Sequence, residues 1–141
     1  MCLIVGTKKL VAKTDLLVYK CLDKEGRKFC TPFRYLPIKF TNGRCVIESA
    51  ETALTIEKEW HEKKLVKVIN IGVHAYTDKD ISDDIAERFP ECGTKTYYTV
   101  IPKGCPYYVG MKFDVVSTKM IVFKSKEDFD KYAEGKEIKE I

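Results

Sequence analysis

No apolar run in the 141 residues approaches the ~20 that a membrane helix needs, so no span and no membrane partner are expected. Histidine is scarce, with only His61 and His74, and none of the six cysteines stands in a CxxC pair. Those absences exclude a zinc knuckle and an HExxH helix. The chain also lacks a G-x-S-x-G elbow, a Walker loop and a G-x-G-x-x-G turn, so familiar hydrolase and dinucleotide chemistry is not indicated. Neither a metal nor a resident cofactor is expected. Charge is balanced rather than one-sided: 25 Lys and Arg against 21 Asp and Glu leave +4. The basic residues are spread out, which argues against a duplex nucleic-acid binder. Short clusters such as Lys8-Lys9, Arg27-Lys28 and Lys63-Lys64 with Lys67 read as solvated surface able to receive a phosphate.

The opening "MCLIVGTKKL" is too short in apolar residues for a secretory signal. Cysteines 2, 21, 30, 45, 92 and 105 are therefore expected as free thiols in a cytoplasmic protein, acting mostly as small core residues. A chain of this length can bury a sufficient core without disulfides, and the whole of 1–141 reads as one domain.

What is present is mainly strand signal. "DLLVYKCLD", 15–23, is apolar on both faces, which predicts a central strand. Pro32 and Pro37 make 30–40 a loop with an edge strand. Asn42-Gly43 predicts a tight hairpin between Phe40 and Cys45-Val46-Ile47. Residues 50–65 are ambiguous between helix and strand, and their Glu and Lys favour a helix carrying Trp60 and a solvated His61. A strand is expected over 66–77, then a helix over 78–89 with acids in its first turn and Ile81, Ile85 and Phe89 on its inner side. Another strand ends at Pro102-Lys103-Gly104, one long strand bent near Gly110 follows, and a closing helix starts at Ser125 and stops at Gly135. The sum is an α+β domain with a mostly antiparallel or mixed sheet and two or three short helices.

Tyrosine is concentrated in "YYTVIPKGCPYYVG", 97–110. Its rings suit core, interface or the wall of a ligand site. Alternation puts Tyr97 and Tyr98, and again Tyr107 and Tyr108, on opposite faces. His74 and Tyr76 share the face opposite Val73 and Ala75. A ligand site is expected from Tyr19, Lys20, His74, Tyr76, Tyr98, Lys103, Tyr107 and Tyr108, with rings stacking a base and the lysines holding phosphate. No catalytic residue is assigned.

The segments "VYK", "GVHAY" and "IPKGCPYY" resemble those of a group of small uncharacterised proteins from tailed phages and Bacteroides-type bacteria. "VYK" and "GVHAYTDKDISDDIA" are also distantly similar to the first two strand motifs of ADP-ribosyltransferase-like folds. That resemblance implies an NAD-shaped cleft, with Lys20 where Arg or His is usual. It also implies loss of transferase chemistry, because "FDVVSTKMIV" offers Asp114 and Ser117 but no glutamate. Three readings follow: a non-enzymatic binder of a small nucleotide-like ligand, such as a phage protein that sequesters a host signalling nucleotide; a protein-interaction module; and an NAD-consuming enzyme. A homo-oligomer is compatible with each.

Overall fold

Leu17, Tyr19 and Cys21 alternate with Leu16, Val18 and Leu22, and both sets are covered in the folded chain. The computed structural model describes residues 3–25, 28–30, 37–49, 53–90 and 93–141. Its elements run β1 (Leu3–Ile4), β2 (Leu10–Val11), β3 (Asp15–Glu25), β4 (Lys28–Cys30), β5 (Pro37–Ile38), β6 (Arg44–Glu48), β7 (Glu57–His61), β8 (Lys64–Ile69) and β9 (Val73–Tyr76). Then come α1 (Lys79–Glu87), β10 (Lys95–Ile101), β11 (Pro106–Val109), β12 (Asp114–Ser117), β13 (Lys119–Phe123), α2 (Lys126–Ala133) and β14 (Ile138–Glu140). The class is α+β, antiparallel except where β14 joins β3 in parallel.

The large sheet runs β2-β11-β12-β9-β3-β10-β13-β6. β3 is its spine: β10 pairs along one edge, while β14, β9 and β4 share the other in succession. Three strands separate β12 from β13 in this order, yet only Thr118 separates them in the chain. Four inter-strand steps of about 4.8 Å make roughly 19 Å across a flat sheet, whereas the two residue steps from Ser117 to Lys119 reach about 7 Å at most. The sheet must therefore fold over itself. β9 is the corner, touching β3 only at Tyr19–Tyr76. Between the two halves lies one apolar cluster, with Leu16, Val18, Ile101 and Met120 from one side and Val73, Ala75 and Val115 from the other. Both helices cover the outer face of the β3–β10 half. There α2 adds Phe129 to Val100 and Phe123. A separate sheet, β1-β8-β7, rests on the outer face of β11 and β12 through Leu3 and Ile69 against Tyr108 and Val116.

Several expectations hold in detail. Asn42 and Gly43 both have positive φ, 54° and 76°, as a type I′ hairpin turn requires. Ser125 caps α2 by accepting from the Asp128 amide as expected, and α1 is capped by Asp78, which accepts from the Asp80 amide and precedes the helix rather than lying within it as expected. Cys21, Cys45 and Cys105 are free thiols; Cys2, Cys30 and Cys92 fall outside the described side chains.

Four expectations are corrected. The helix over 50–65 is instead the β7–β8 hairpin, turned by Glu62 and Lys63, both at positive φ without a glycine; residues 50–52 lie outside the described set. Helix propensity is a weak preference, and pairing of β8 with β1 at Leu3–Ile69 and Ile4–Val68 overrides it. The strand expected over 66–77 is broken at 70–72, because β8 and β9 belong to different sheets. The single bent strand after Pro106 is three strands, with a reversal around Phe113 (φ 58°) and a crossover between the two halves of the sheet at Thr118. Finally, α1 buries Ser82 and Ala86 against the sheet, while Phe89 follows the helix end and is 41% exposed. β14 had no expectation. Of the two-proline segment, β5 pairs with β4 as a short edge, and 31–36 lie outside the described residues.

Candidate functional site

Strand register brings three tyrosines into a row. Tyr76 lies opposite Tyr19, and Tyr19 opposite Tyr98, on the outer, helix-covered face of β9, β3 and β10. Asp114 extends the row beyond Tyr76. The Tyr19 and Tyr98 rings meet edge to face at 5.7 Å, and Tyr98 stacks on Phe129 at 5.3 Å. Phe129 meets Phe123 at 5.6 Å, and Arg44 caps the far end over Phe123 and Tyr132. One aromatic ladder thus runs from β3 and β10 through Phe129 of α2 to Phe123. The Tyr19 hydroxyl donates to Glu140 at 3.4 Å. Burial, then the Glu140 charge, pushes its phenol up to about 12; burial, then Cys21 and Asp114, does the same to Tyr76. The Asp114 carboxyl is raised, first of all by burial. The carboxylates around this row disfavour a second anion.

The other expected site residues are dispersed. Lys20 faces inward between Val18 and Leu22, only 8% exposed, and donates from Nζ to the His74 carbonyl at 2.6 Å. Burial pulls its ammonium down to about 8. Lys20 and Asp114 therefore lie on opposite faces of the sheet. Lys103 is exposed on its turn, with its amide bonded to Asp15 Oδ1 at 2.8 Å. Tyr107 packs on the inner cluster and Tyr108 on the outer one. The structure brings together Tyr19, Tyr76 and Tyr98, joins Lys20 to the His74 backbone, and leaves Lys103, Tyr107 and Tyr108 apart.

A polar chain fixes α1 to the sheet. Cys21 Sγ lies 3.1 Å from Ser82 Oγ, and Ser82 Oγ lies 2.9 Å from Thr96 Oγ1. Lys79 binds Asp83 at 2.6 Å. Burial, the largest influence, pushes the Cys21 thiol up, the opposite of what a nucleophilic thiolate needs. Beside this chain is a shallow depression of about 410 Å³ lined by Lys79, Asp83, Glu87, Thr94, Lys95 and Thr96. Among the described residues no three His, Cys, Asp or Glu side chains could hold a metal, and no helix is long and apolar enough to cross a membrane.

The feature that sequence reasoning missed is the β7–β8 hairpin. Its pairing sets Trp60 against Leu65 and Lys58 against Lys67 on one face, with Glu57, Glu59 and His61 on the other. Trp60 is 73% and Leu65 50% exposed. The acids are held on their own face: Asn70 Nδ2 donates to Glu57 Oε2 at 3.0 Å and to Glu59 Oε1 at 2.8 Å, and His61 lies 3.3 Å from Glu59. Those contacts, Asn70 first, draw the Glu59 carboxyl below its ordinary range. Alternation through Leu54, Ile56 and Trp60 is present in the sequence but interrupted by Lys58, and Ala53, Ile56 and Trp60 fit a helix equally well.

Comparison with protein-family models, curated proteins and solved structures finds no match to this chain.

Proposed function

We propose that the protein is a non-catalytic binding module that engages a macromolecular partner through the β7–β8 hairpin. The observation that carries this reading is the Trp60–Leu65 pair, two large apolar side chains set opposite one another in water. Folding gains roughly 1.5–3 kcal/mol from burying a side chain of this kind, and tryptophan is enriched where binding energy concentrates. A second reading keeps a small nucleotide-like ligand such as NAD or a signalling nucleotide. It is favoured by the convergence of Tyr76, Tyr19 and Tyr98 on one face, but Phe129 already stacks on Tyr98, and Lys20 and Lys103 do not reach that row.

Native mass spectrometry of the full chain, purified from producing cells, separates the two. A stoichiometric macromolecule retained by the wild type and lost from a Trp60→Ala/Leu65→Ser variant is the expected result. That variant should melt within about 0.5 kcal/mol of the wild type, because the pair is on the surface. A macromolecule retained equally by the variant would overturn the hairpin assignment. A retained small molecule absorbing near the nucleotide maximum, indifferent to the hairpin and lost from Tyr98→Ala, would establish the second reading instead.

A further inference from the structure

Lys58 and Lys67 are directly opposed across the hairpin on the Trp60–Leu65 face. Like charges in that position repel and weaken the strand pair. Three glutamates, Glu57, Glu59 and Glu62, lie within the hairpin and could have offset them. Instead Glu57 and Glu59 are tied to Asn70 on the opposite face, and neither lysine has an ion-pair partner among the described residues. Lys63 in the turn and Lys64 at the start of β8 add positive charge at the tip. A local rule is thus broken on the same face that leaves an indole uncovered, and a functional surface is where such a violation belongs.

We propose that the Lys58–Trp60–Leu65–Lys67 face binds single-stranded nucleic acid, with a base stacked on the Trp60 ring and phosphates held by the two ammonium groups. The inference rests on the reading of the hairpin as the binding surface and names its partner. Two residue steps, about 6.6 Å along a strand, separate the ring from the lysine level, a spacing that suits a base and the phosphate beside it. A duplex keeps its bases stacked and offers the indole no open ring. An acidic polypeptide would satisfy the lysines, but among the paired residues of the hairpin only Trp60 and Leu65 are exposed large apolar side chains. A stable protein interface buries roughly 800 Å² on each partner, whereas one stacked base contributes about 1–3 kcal/mol by itself.

The chain has a single tryptophan, so its emission reports on this face alone. Titration of the full chain with a short single-stranded oligonucleotide at low salt should quench Trp60 emission saturably, and added salt should reverse it. Lys58→Ala and Lys67→Ala should each weaken binding and lower the salt slope by about 0.7. In anisotropy with a labelled oligonucleotide, Trp60→Ala should lose about 5- to 150-fold in affinity, while Trp60→Phe keeps most of it. Binding with unchanged Trp60 emission and full affinity in Trp60→Ala would place nucleic acid elsewhere and overturn the proposal. Quenching by poly-glutamate but not by the oligonucleotide would also overturn it, leaving the hairpin as a protein-binding surface. So would silence toward both probes while the partner seen by native mass spectrometry still depends on Trp60.

Discussion

Replacing Gly43 by valine should destabilise the fold by about 2–4 kcal/mol, read as a shift in urea midpoint at unchanged slope. Two effects add. Backbone at φ 76° costs an L-residue about 1–2 kcal/mol, and more when the residue is β-branched. A Cβ at this position would also run into the carboxylate of Asp128. That carboxylate is not idle: Asp128 Oδ2 accepts from Ser125 Oγ at 2.7 Å, and the Asp128 amide donates back to Ser125 Oγ at 3.2 Å. Moving it disturbs the α2 cap, worth about 1 kcal/mol. Gly135 provides the control. Its φ is 69°, but a Cβ there meets nothing within 4 Å, so Gly135→Val should show the backbone cost alone. Equal losses at the two sites would remove Asp128 from the account, and an unchanged midpoint at Gly43 would contradict the turn.

The second large effect is a pH profile governed by Lys20. Its folded ammonium titrates near 8, against 10.5 for an ordinary lysine. Between those values the unfolded chain binds the extra proton, so stability rises with pH. The contribution is complete above 10.5 and is lost as the pH falls through 8. The span corresponds to about 3 kcal/mol. Cys21 and Cys105 thiols, raised by burial, act in the opposite direction as they ionise, and Tyr19, Tyr76 and Tyr132, pushed up to about 12, do so at higher pH. Comparing the wild type with Lys20→Met cancels the Cys105 and tyrosine terms, and a Cys21→Ser background removes the Cys21 thiol that interacts with Lys20: in that background the stability difference should change by about 3 kcal/mol over the window. At neutral pH the exchange removes a buried charge and also removes the donor to the His74 carbonyl. Those opposing effects are each about 1–3 kcal/mol, so the profile rather than one value is diagnostic. Parallel profiles would show that Lys20 reaches solvent in the folded protein.

The central strand, the Asn42-Gly43 turn and the Ser125 cap were legible because each is decided by neighbours in sequence; that Asp78 caps α1 rather than lying within it was not. Parity was equally reliable. Tyr97 and Tyr98 do split, with Tyr97 beside Ile38 and Val122 and Tyr98 beside Phe129, and Tyr107 and Tyr108 do face different clusters. Which tyrosines meet was not legible, since the row Tyr76–Tyr19–Tyr98 depends on the partner and register of three strands distant in the chain. The expected cluster instead gathered residues by proximity in sequence.

Composition and local pattern thus determined an α+β chain, its strand-rich character, its caps and its alternating faces, all consequences of backbone geometry and nearest-neighbour chemistry. Tertiary structure decided where the sheet turns over, why Lys20 is enclosed while Trp60 is not, and that 57–69 forms a hairpin. Alternation assigns a side chain to one of two faces but is silent on what covers that face. Trp60 and Tyr19 carry similar local signals, yet β14 pairs beside Tyr19 on β3 and sends Glu140 to its hydroxyl, Tyr98 packs on its ring beneath Phe129 of α2, and β7, at the edge of its sheet, leaves Trp60 in water.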